Sequence, residues 1–331
     1  MSAARPTCRE IEPDLIALAT GEAEPGAARS VEDHVARCAP CRDELERYQA
    51  VEGLVADLRG APMPGVDPTL ARAELESRLA DLRSRLVSFG IFPSPLGPIL
   101  IARSEQGVAM VEYLESEEAA HSRLSRLAGA EAVRDPAAAE VLYGELLDYL
   151  GSRRTRFDWP LDLRWARSDF QRRVLEATAR LPYGAVTSYG HIARNIGTPT
   201  ATRAVAQALR WNPLPIVIPC HRVVGSSGDL TGYAGDKVGL KQQLLSLEGV
   251  PVAGPGARRI ERRAMYHLDQ NEREYCLPSC GSISVRPLST LTLFGSREQA
   301  EAVGLIPCTT CRPDLHPLPR QALVRDQAFT P

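Results

Sequence analysis

From residue 9 to Leu58 the apolar positions recur at intervals of three and four: Leu15, Ile16 and Leu18, then Val31 and Val35, then Leu45, Tyr48, Val51, Leu54 and Val55. That spacing predicts amphipathic helices, and Ser30 followed by Asp33 predicts one helix start. Gly60 to Pro68 holds three prolines and two glycines and reads as a linker. Residues 69–86 carry an Arg/Glu face and predict one solvated connector helix. From Val87 the pattern shortens to apolar runs at Phe89–Phe92, Gly97–Ala102 and Val108–Tyr113, separated by turn residues, which predict a small antiparallel sheet. Helical spacing returns near 136–150, 170–180, 188–196 and 200–210. The last two are joined by Asn195-Ile196-Gly197-Thr198-Pro199, a helix-turn-helix pattern with Arg203 and Arg210 on its second helix.

Composition narrows the class. The 331 residues are 44% hydrophobic and 24% charged, a globular balance sized for two or three domains. No apolar run approaches the ~20 residues of a membrane span, and the first residues lack the pattern of a secretory leader, so a cytoplasmic protein with no membrane partner is expected. Net charge is only −2, but it is unevenly spread. Residues 1–57 carry twelve acidic and six basic side chains, whereas Ala177 to Gly228 has five arginines and no acid. The second stretch offers a positive face to phosphates, and the first suits a protein partner.

Eight cysteines fall into three groups. Cys8, Cys38 and Cys41 with His34 form one set of soft and borderline donors suited to tetrahedral zinc. Cys276, Cys280, Cys308 and Cys311 form a second, four-thiolate set for which zinc is again the fitting ion. No organic cofactor is expected. Cys220 stands alone, in Val217-Ile218-Pro219-Cys220-His221-Arg222-Val223-Val224. There an apolar, strand-like run is broken by proline and delivers a thiol beside a base and a cation, the surroundings that favour a reactive thiolate.

Pro219-Cys220-His221-Arg222-Val223 resembles the acceptor motif of the methylated-DNA–protein-cysteine methyltransferases, suicidal repair proteins for 6-O-alkylguanine. The likeness extends over residues 87–251. It takes in Ser94-Pro95-Leu96-Gly97-Pro98-Ile99, Ser168-Asp169-Phe170-Gln171-Arg172-Arg173-Val174, Leu181-Pro182-Tyr183-Gly184, Ser188-Tyr189, Arg203-Ala204-Val205, Asn212-Pro213, Gly232-Tyr233 and Glu248-Gly249. The resemblance implies that Cys220 accepts the alkyl group, that His221, held by Glu248, removes the thiol proton through a water, that Tyr233 donates to the departing base and that Asn212 orients the loop. It also implies binding to duplex DNA carrying alkylated bases, with the target base flipped out. Arg203 would fill the gap in the stack and Tyr189 press on a phosphate, with Ser188, Arg210 and Arg222 completing the DNA-binding set. Asp236 and Trp211 depart from the family pattern.

The flanks resemble other families. His34-x3-Cys38-x2-Cys41 is similar to the zinc-binding anti-sigma-factor domain, which implies a sigma factor or other regulator as partner. The C-terminal set resembles the zinc domain of the bacterial adaptive-response proteins, which implies either a structural site or a second acceptor at Cys276, with His267 as a substitute ligand. The expected architecture is therefore α+β and multidomain. A helical zinc domain (1–58) and a linker with connector helix (59–86) precede the sheet subdomain (87–160) and the DNA-binding, catalytic domain (161–251). A linker (252–262) and a four-cysteine zinc domain (263–318) follow, the linkers leaving the modules free to move. The expected function is single-turnover repair of 6-O-alkylguanine by transfer to Cys220. The alternative is a non-catalytic, alkylation- or redox-sensing transcription regulator acting through the zinc domains.

Overall fold

A computed structural model describes residues 7–60, 67–234, 237–253 and 258–319. The chain forms two compact units, residues 1–77 and 78–331. In the first, α1 (Cys8–Ala19), α2 (Pro25–Val35) and α3 (Ala39–Gly60) enclose a small core of Ile11, Leu15, Val31, Cys41 and Leu45. Thr7 and Glu10 close a reciprocal cap on α1. The helix start expected at Ser30 lies inside α2, which begins at Pro25: proline's fixed φ and missing N–H suit the first helical position. Most of the linker expected at 60–68 falls outside the described residues. Helix α4 (Pro68–Arg85) leaves Leu70, Leu75, Leu79 and Leu82 exposed and carries the ion pairs Arg72–Glu76 and Arg85–Asp81, both at 2.9 Å.

The second unit opens with β1 (Leu86–Phe92), β2 (Ile99–Ser104) and β3 (Gly107–Tyr113), then α5 (Ala119–Leu124) and β4 (Glu131–Arg134). The sheet runs β3-β2-β1-β4. Its first three strands pair antiparallel as expected, but β4 lies parallel to β1, because α5 returns the chain across the sheet before the strand forms. Then come α6 (Glu140–Leu150), α7 (Asp169–Ala179), β5 (Ala185–Ser188), α8 (Tyr189–Asn195), α9 (Thr202–Arg210), β6 (Val223–Val224) and α10 (Val238–Leu247). Ser168 and Ser188 accept from the backbone N–H groups of Gln171 and His191, capping α7 and α8. One apolar cluster ties the first sheet to these helices through Ile99, Val111, Leu146, Val174, Ile192 and Val205.

The C-terminal segment packs into the same compact unit as the preceding residues. Its elements are β7 (Tyr266–Asp269), β8 (Glu274–Cys276), β9 (Leu291–Phe294), α11 (Arg297–Ala302) and β10 (Ile306–Pro307), and its strands join β5 and β6 in one sheet ordered β10-β8-β7-β9-β5-β6. The junction is antiparallel, Ala185 opposite Phe294 and Val186 opposite Leu293. Val186, Val224, Leu245 and Val250 share an apolar cluster with Met265, Ile283, Leu288 and Leu293. Burying those side chains removes the independence that the connecting Gly/Pro stretch suggested. Among the described residues no helix is long and apolar enough to cross a membrane.

Candidate active site

The segment before Cys220 forms no strand; only Val223–Val224 pairs, parallel to β5. Pro219 sits at φ −78° and ψ 62°, and the Cys220 N–H donates to the Ile218 carbonyl at 2.7 Å, an inverse γ-turn that leads into one turn of 3₁₀ helix over Cys220–Arg222. Ile216 holds φ at +75°, a left-handed conformation that costs a β-branched residue roughly 1–3 kcal/mol. Asn212 fixes this loop. Its Oδ1 accepts from Leu214 N–H at 3.0 Å, and its Nδ2 donates to the Ile218 carbonyl at 2.9 Å and to Cys220 Sγ at 3.2 Å.

Behind the cysteine lies a fully buried ionic group. Glu248, at the C-terminal end of α10, receives His221 Nε2 at 2.6 Å, Arg222 Nε at 2.8 Å and Arg222 Nη2 at 2.9 Å. The Gly184 N–H, at 3.0 Å, and the Tyr149 hydroxyl complete its shell. Burial opposes ionisation of Glu248, yet Arg222 and His221 outweigh it and hold the carboxyl far below the carboxylate range. An ionised Glu248 only accepts, so His221 carries its proton on Nε2 and its Nδ1 keeps a lone pair. That Nδ1 is buried with no protein partner. Burial also pushes the imidazolium down, so His221 is a neutral base.

Cys220 itself is pushed up by burial, while the Asn212 hydrogen bond and the Lys241 charge pull it back. Arg222, the cation expected from the sequence to favour a thiolate, is spent on Glu248 instead. The cation that acts on the thiol is Lys241, fully buried, lowered by burial to about 8 and donating to the carbonyls of Val223 at 2.5 Å and Thr231 at 3.1 Å. In the full chain, alkylation of the Cys220 peptide by iodoacetamide should therefore rise with pH about a midpoint above the ~8.5 of free cysteine. A midpoint below 8 in peptide-resolved mass spectrometry contradicts this balance.

Cys220 borders a cavity of about 250 Å³ whose lining includes Tyr189, Arg203, Gln207, Arg210 and Tyr233. The Tyr233 hydroxyl lies 2.8 Å from that of Tyr113, and Tyr189 donates to the Thr231 carbonyl at 3.1 Å. Arg203 and Arg210 are exposed along α9. Two residues expected on DNA are elsewhere: Arg222 is buried against Glu248, and Ser188 is buried as the cap of α8, its hydroxyl donating to the Leu288 carbonyl at 3.3 Å. Trp211 stacks with Arg167, whose guanidinium carbon is 4.0 Å from the ring centroid, and does not line the cavity. Asp236 lies outside the described residues. Tyr149, Tyr113 and Lys241 escaped the sequence reading; that Lys241 is one of only two lysines in the chain was a signal.

Both cysteine groups converge. The donor atoms of Cys8, His34, Cys38 and Cys41 lie within 4.8 Å of one another, as do those of Cys276, Cys280, Cys308 and Cys311. Tetrahedral zinc with ~2.3 Å bonds places sulfurs about 3.8 Å apart, and Cys8 Sγ and Cys38 Sγ stand at 3.8 Å. His34 Nε2 is buried without a partner, as a reserved ligand atom would be. In the second group Cys311 Sγ accepts from the Leu277 N–H at 3.3 Å. His267 lies outside that group, its Nε2 donating to the Arg262 carbonyl at 3.0 Å, so the donor set that converges is four cysteines without it. Either set can hold a metal ion.

The part of the chain that carries Cys220 matches known proteins. Residues 87–163 match the family described as 6-O-methylguanine DNA methyltransferase, ribonuclease-like domain, and residues 169–250 match the DNA binding domain of the same name. A methylated-DNA–protein-cysteine methyltransferase of Methanosarcina acetivorans is 38% identical over 161 residues, which is 49% of this chain and 97% of that protein. The constitutive one of Bacillus subtilis is 38% identical over 157 residues, 47% of this chain and 92% of the other. A solved structure of Mycobacterium tuberculosis OGT in complex with DNA is 39% identical, covering 49% of this chain and 92% of that one with a TM-score of 0.42. Because it spans nearly all of the Methanosarcina protein at that identity, the chain belongs to the methylated-DNA–protein-cysteine methyltransferase family.

Proposed function

We propose that this protein repairs DNA by moving the alkyl group of 6-O-alkylguanine onto Cys220 Sγ. The observation that carries the reading is Cys220 on the wall of a cavity beside α9, with the Asn212 amide on its sulfur and the neutral His221 next to it in the chain. The thiol proton passes to His221 Nδ1 through a water, and the imidazolium is stabilised by Glu248. The thiolate forms a bond to the alkyl carbon as the bond from that carbon to guanine O6 breaks. The electron pair leaves on the purine, stabilised by the Tyr233 hydroxyl, and the displaced proton ends on guanine. The thioether has no route back to thiol, so each chain reacts once.

A stacked base cannot reach a buried sulfur, so the target nucleotide is flipped into the cavity. Arg203 takes its place in the stack, while Tyr189 and Arg210 address the phosphates from the same helix-turn-helix. In this proposal Cys8, His34, Cys38 and Cys41 would hold one zinc ion and Cys276, Cys280, Cys308 and Cys311 another, each of which would supply a structural cross-link. We assign Cys276, buried in β8, a structural role. The acidic first unit is the docking module for a protein partner of sigma-factor type, so that one chain can both repair and report. The test uses a duplex bearing one labelled 6-O-methylguanine. One equivalent of label per chain, without turnover, is the expected result; label that stays in the DNA overturns the reading.

A further inference from the structure

The carboxylate of Glu248 faces His221 and Arg222, but its peptide carbonyl faces the C-terminal segment. Gln299 Nε2, from α11, donates to that carbonyl at 2.6 Å. The other end of the same carboxamide is fixed as well. Gln299 Oε1 accepts from the Ser296 N–H at 3.0 Å, and the Gln299 N–H donates to Ser296 Oγ at 3.2 Å, the reciprocal cap of α11.

Glycines make room for this contact. A Cβ on Gly184 would stand 2.1 Å from Gln299 Nε2, and one on Gly295 would stand 2.3 Å from the Gly249 carbonyl oxygen. Gly184, at φ +70°, also grips from both sides: its N–H donates to Glu248 Oε2, and its carbonyl accepts from the Gly295 N–H at 3.0 Å. Glu248 is thus held at its carboxylate and at its carbonyl by groups that rest on β9 and α11. Helix α11 is tied in turn to the four cysteines. The Tyr275 hydroxyl donates to Glu301 Oε1 at 2.7 Å, Leu305 N–H reaches the Ala300 carbonyl at 3.2 Å, and Cys308 N–H reaches the Tyr275 carbonyl at 3.1 Å. Tyr275 precedes Cys276 in β8.

We propose that the C-terminal four-cysteine segment positions Glu248 for the reaction at Cys220, with Gln299 as the positioning residue, so that alkyl transfer depends on metal held at a cluster that never touches the substrate. This rests on the reading of Cys220 as the alkyl acceptor. The four thiolates fit zinc, which when bound supplies a rigid cross-link; the chain's own α11 and Gln299 carry its effect to Glu248.

The test compares the full zinc-loaded chain with Gln299→Glu, Gln299→Ala and Cys311→Ser. Gln299→Glu keeps an oxygen to cap Ser296 but sets a charged acceptor against the Glu248 carbonyl in place of the donor, whereas Gln299→Ala removes the donor without adding charge. Three quantities are read: the single-turnover rate of methyl transfer from duplex DNA, the DNA affinity, and the downfield proton resonance of the His221 Nε2–H that bonds Glu248. Both Gln299 variants are expected to slow transfer about tenfold, leave affinity within twofold and shift or broaden the resonance. Cys311→Ser, which loses the C-terminal metal, should do the same, and adding it to Gln299→Glu should slow transfer less than twofold further, because both act through one contact. Wild-type rate and resonance in Gln299→Glu, or fully additive effects of the two changes, overturn the proposal. A wild-type chain that transfers no methyl refutes the Cys220 reading instead, and the resonance still decides the positioning role.

Discussion

Glu248→Gln is expected to slow methyl transfer by about 10²–10³-fold and to destabilise the second unit by roughly 3–5 kcal/mol. The substitution keeps the shape and removes the charge. Arg222, which is 5% exposed and donates to both carboxylate oxygens, is left as an uncompensated buried cation. His221 loses the acceptor that fixes its proton on Nε2 at 2.6 Å, so the lone pair on Nδ1 is no longer guaranteed and the imidazolium formed in the reaction has no counter-charge. The Tyr149 hydroxyl and the Gly184 N–H lose their ionic acceptor at the same time. The two effects separate experimentally: thermal denaturation reads the stability, and rapid-quench transfer well below the melting transition reads the rate. A rate within threefold of wild type in a folded variant removes Glu248 from the chemistry and leaves it a purely structural ion pair.

Arg203→Ala should slow transfer from duplex DNA about 100-fold, yet slow transfer from a single strand less than threefold. Arg203 is exposed on α9 at the edge of the cavity that holds Cys220. Extruding a base costs a few kcal/mol of stacking and pairing, and a side chain that fills the gap recovers part of it. A single strand has no such gap, so the arginine contributes only its charge there. Binding to undamaged DNA should weaken modestly, with a shallower salt dependence. Equal losses on both substrates would assign Arg203 to phosphate binding alone.

Much of this was legible because it is local in sequence. The cysteine pairs at i, i+3 and i, i+4 announced both clusters, and Cys220-His221-Arg222 announced the reactive loop. What was not legible depends on distant pairing. Arg222 reads as a DNA contact until Glu248, 26 positions away, neutralises it in the interior. Ser188 likewise reads as surface until Leu288, 100 positions on, covers it. The shared sheet rests on contacts such as Thr187 donating to the Leu291 carbonyl, 104 positions apart, and a Gly/Pro-rich connection gives no hint of it. Strand β4 escaped because all four of its residues are exposed, which leaves no apolar alternation to read. Cys220 shows the same limit in its electrostatics: nearby arginines in sequence suggested an activated thiolate, whereas burial raises the thiol and a distant lysine answers it.

On the proposed reading, Cys220 Sγ is where the alkyl group comes to rest. Peptide mass spectrometry of the full chain after reaction with a duplex containing one 6-O-methylguanine tests it most directly. The expected result is a single added methyl on the peptide carrying Cys220, with guanine restored in the DNA and no transfer in Cys220→Ala. A methyl on a cluster cysteine in place of Cys220, or an unmodified protein bound tightly to intact lesion DNA, would contradict it.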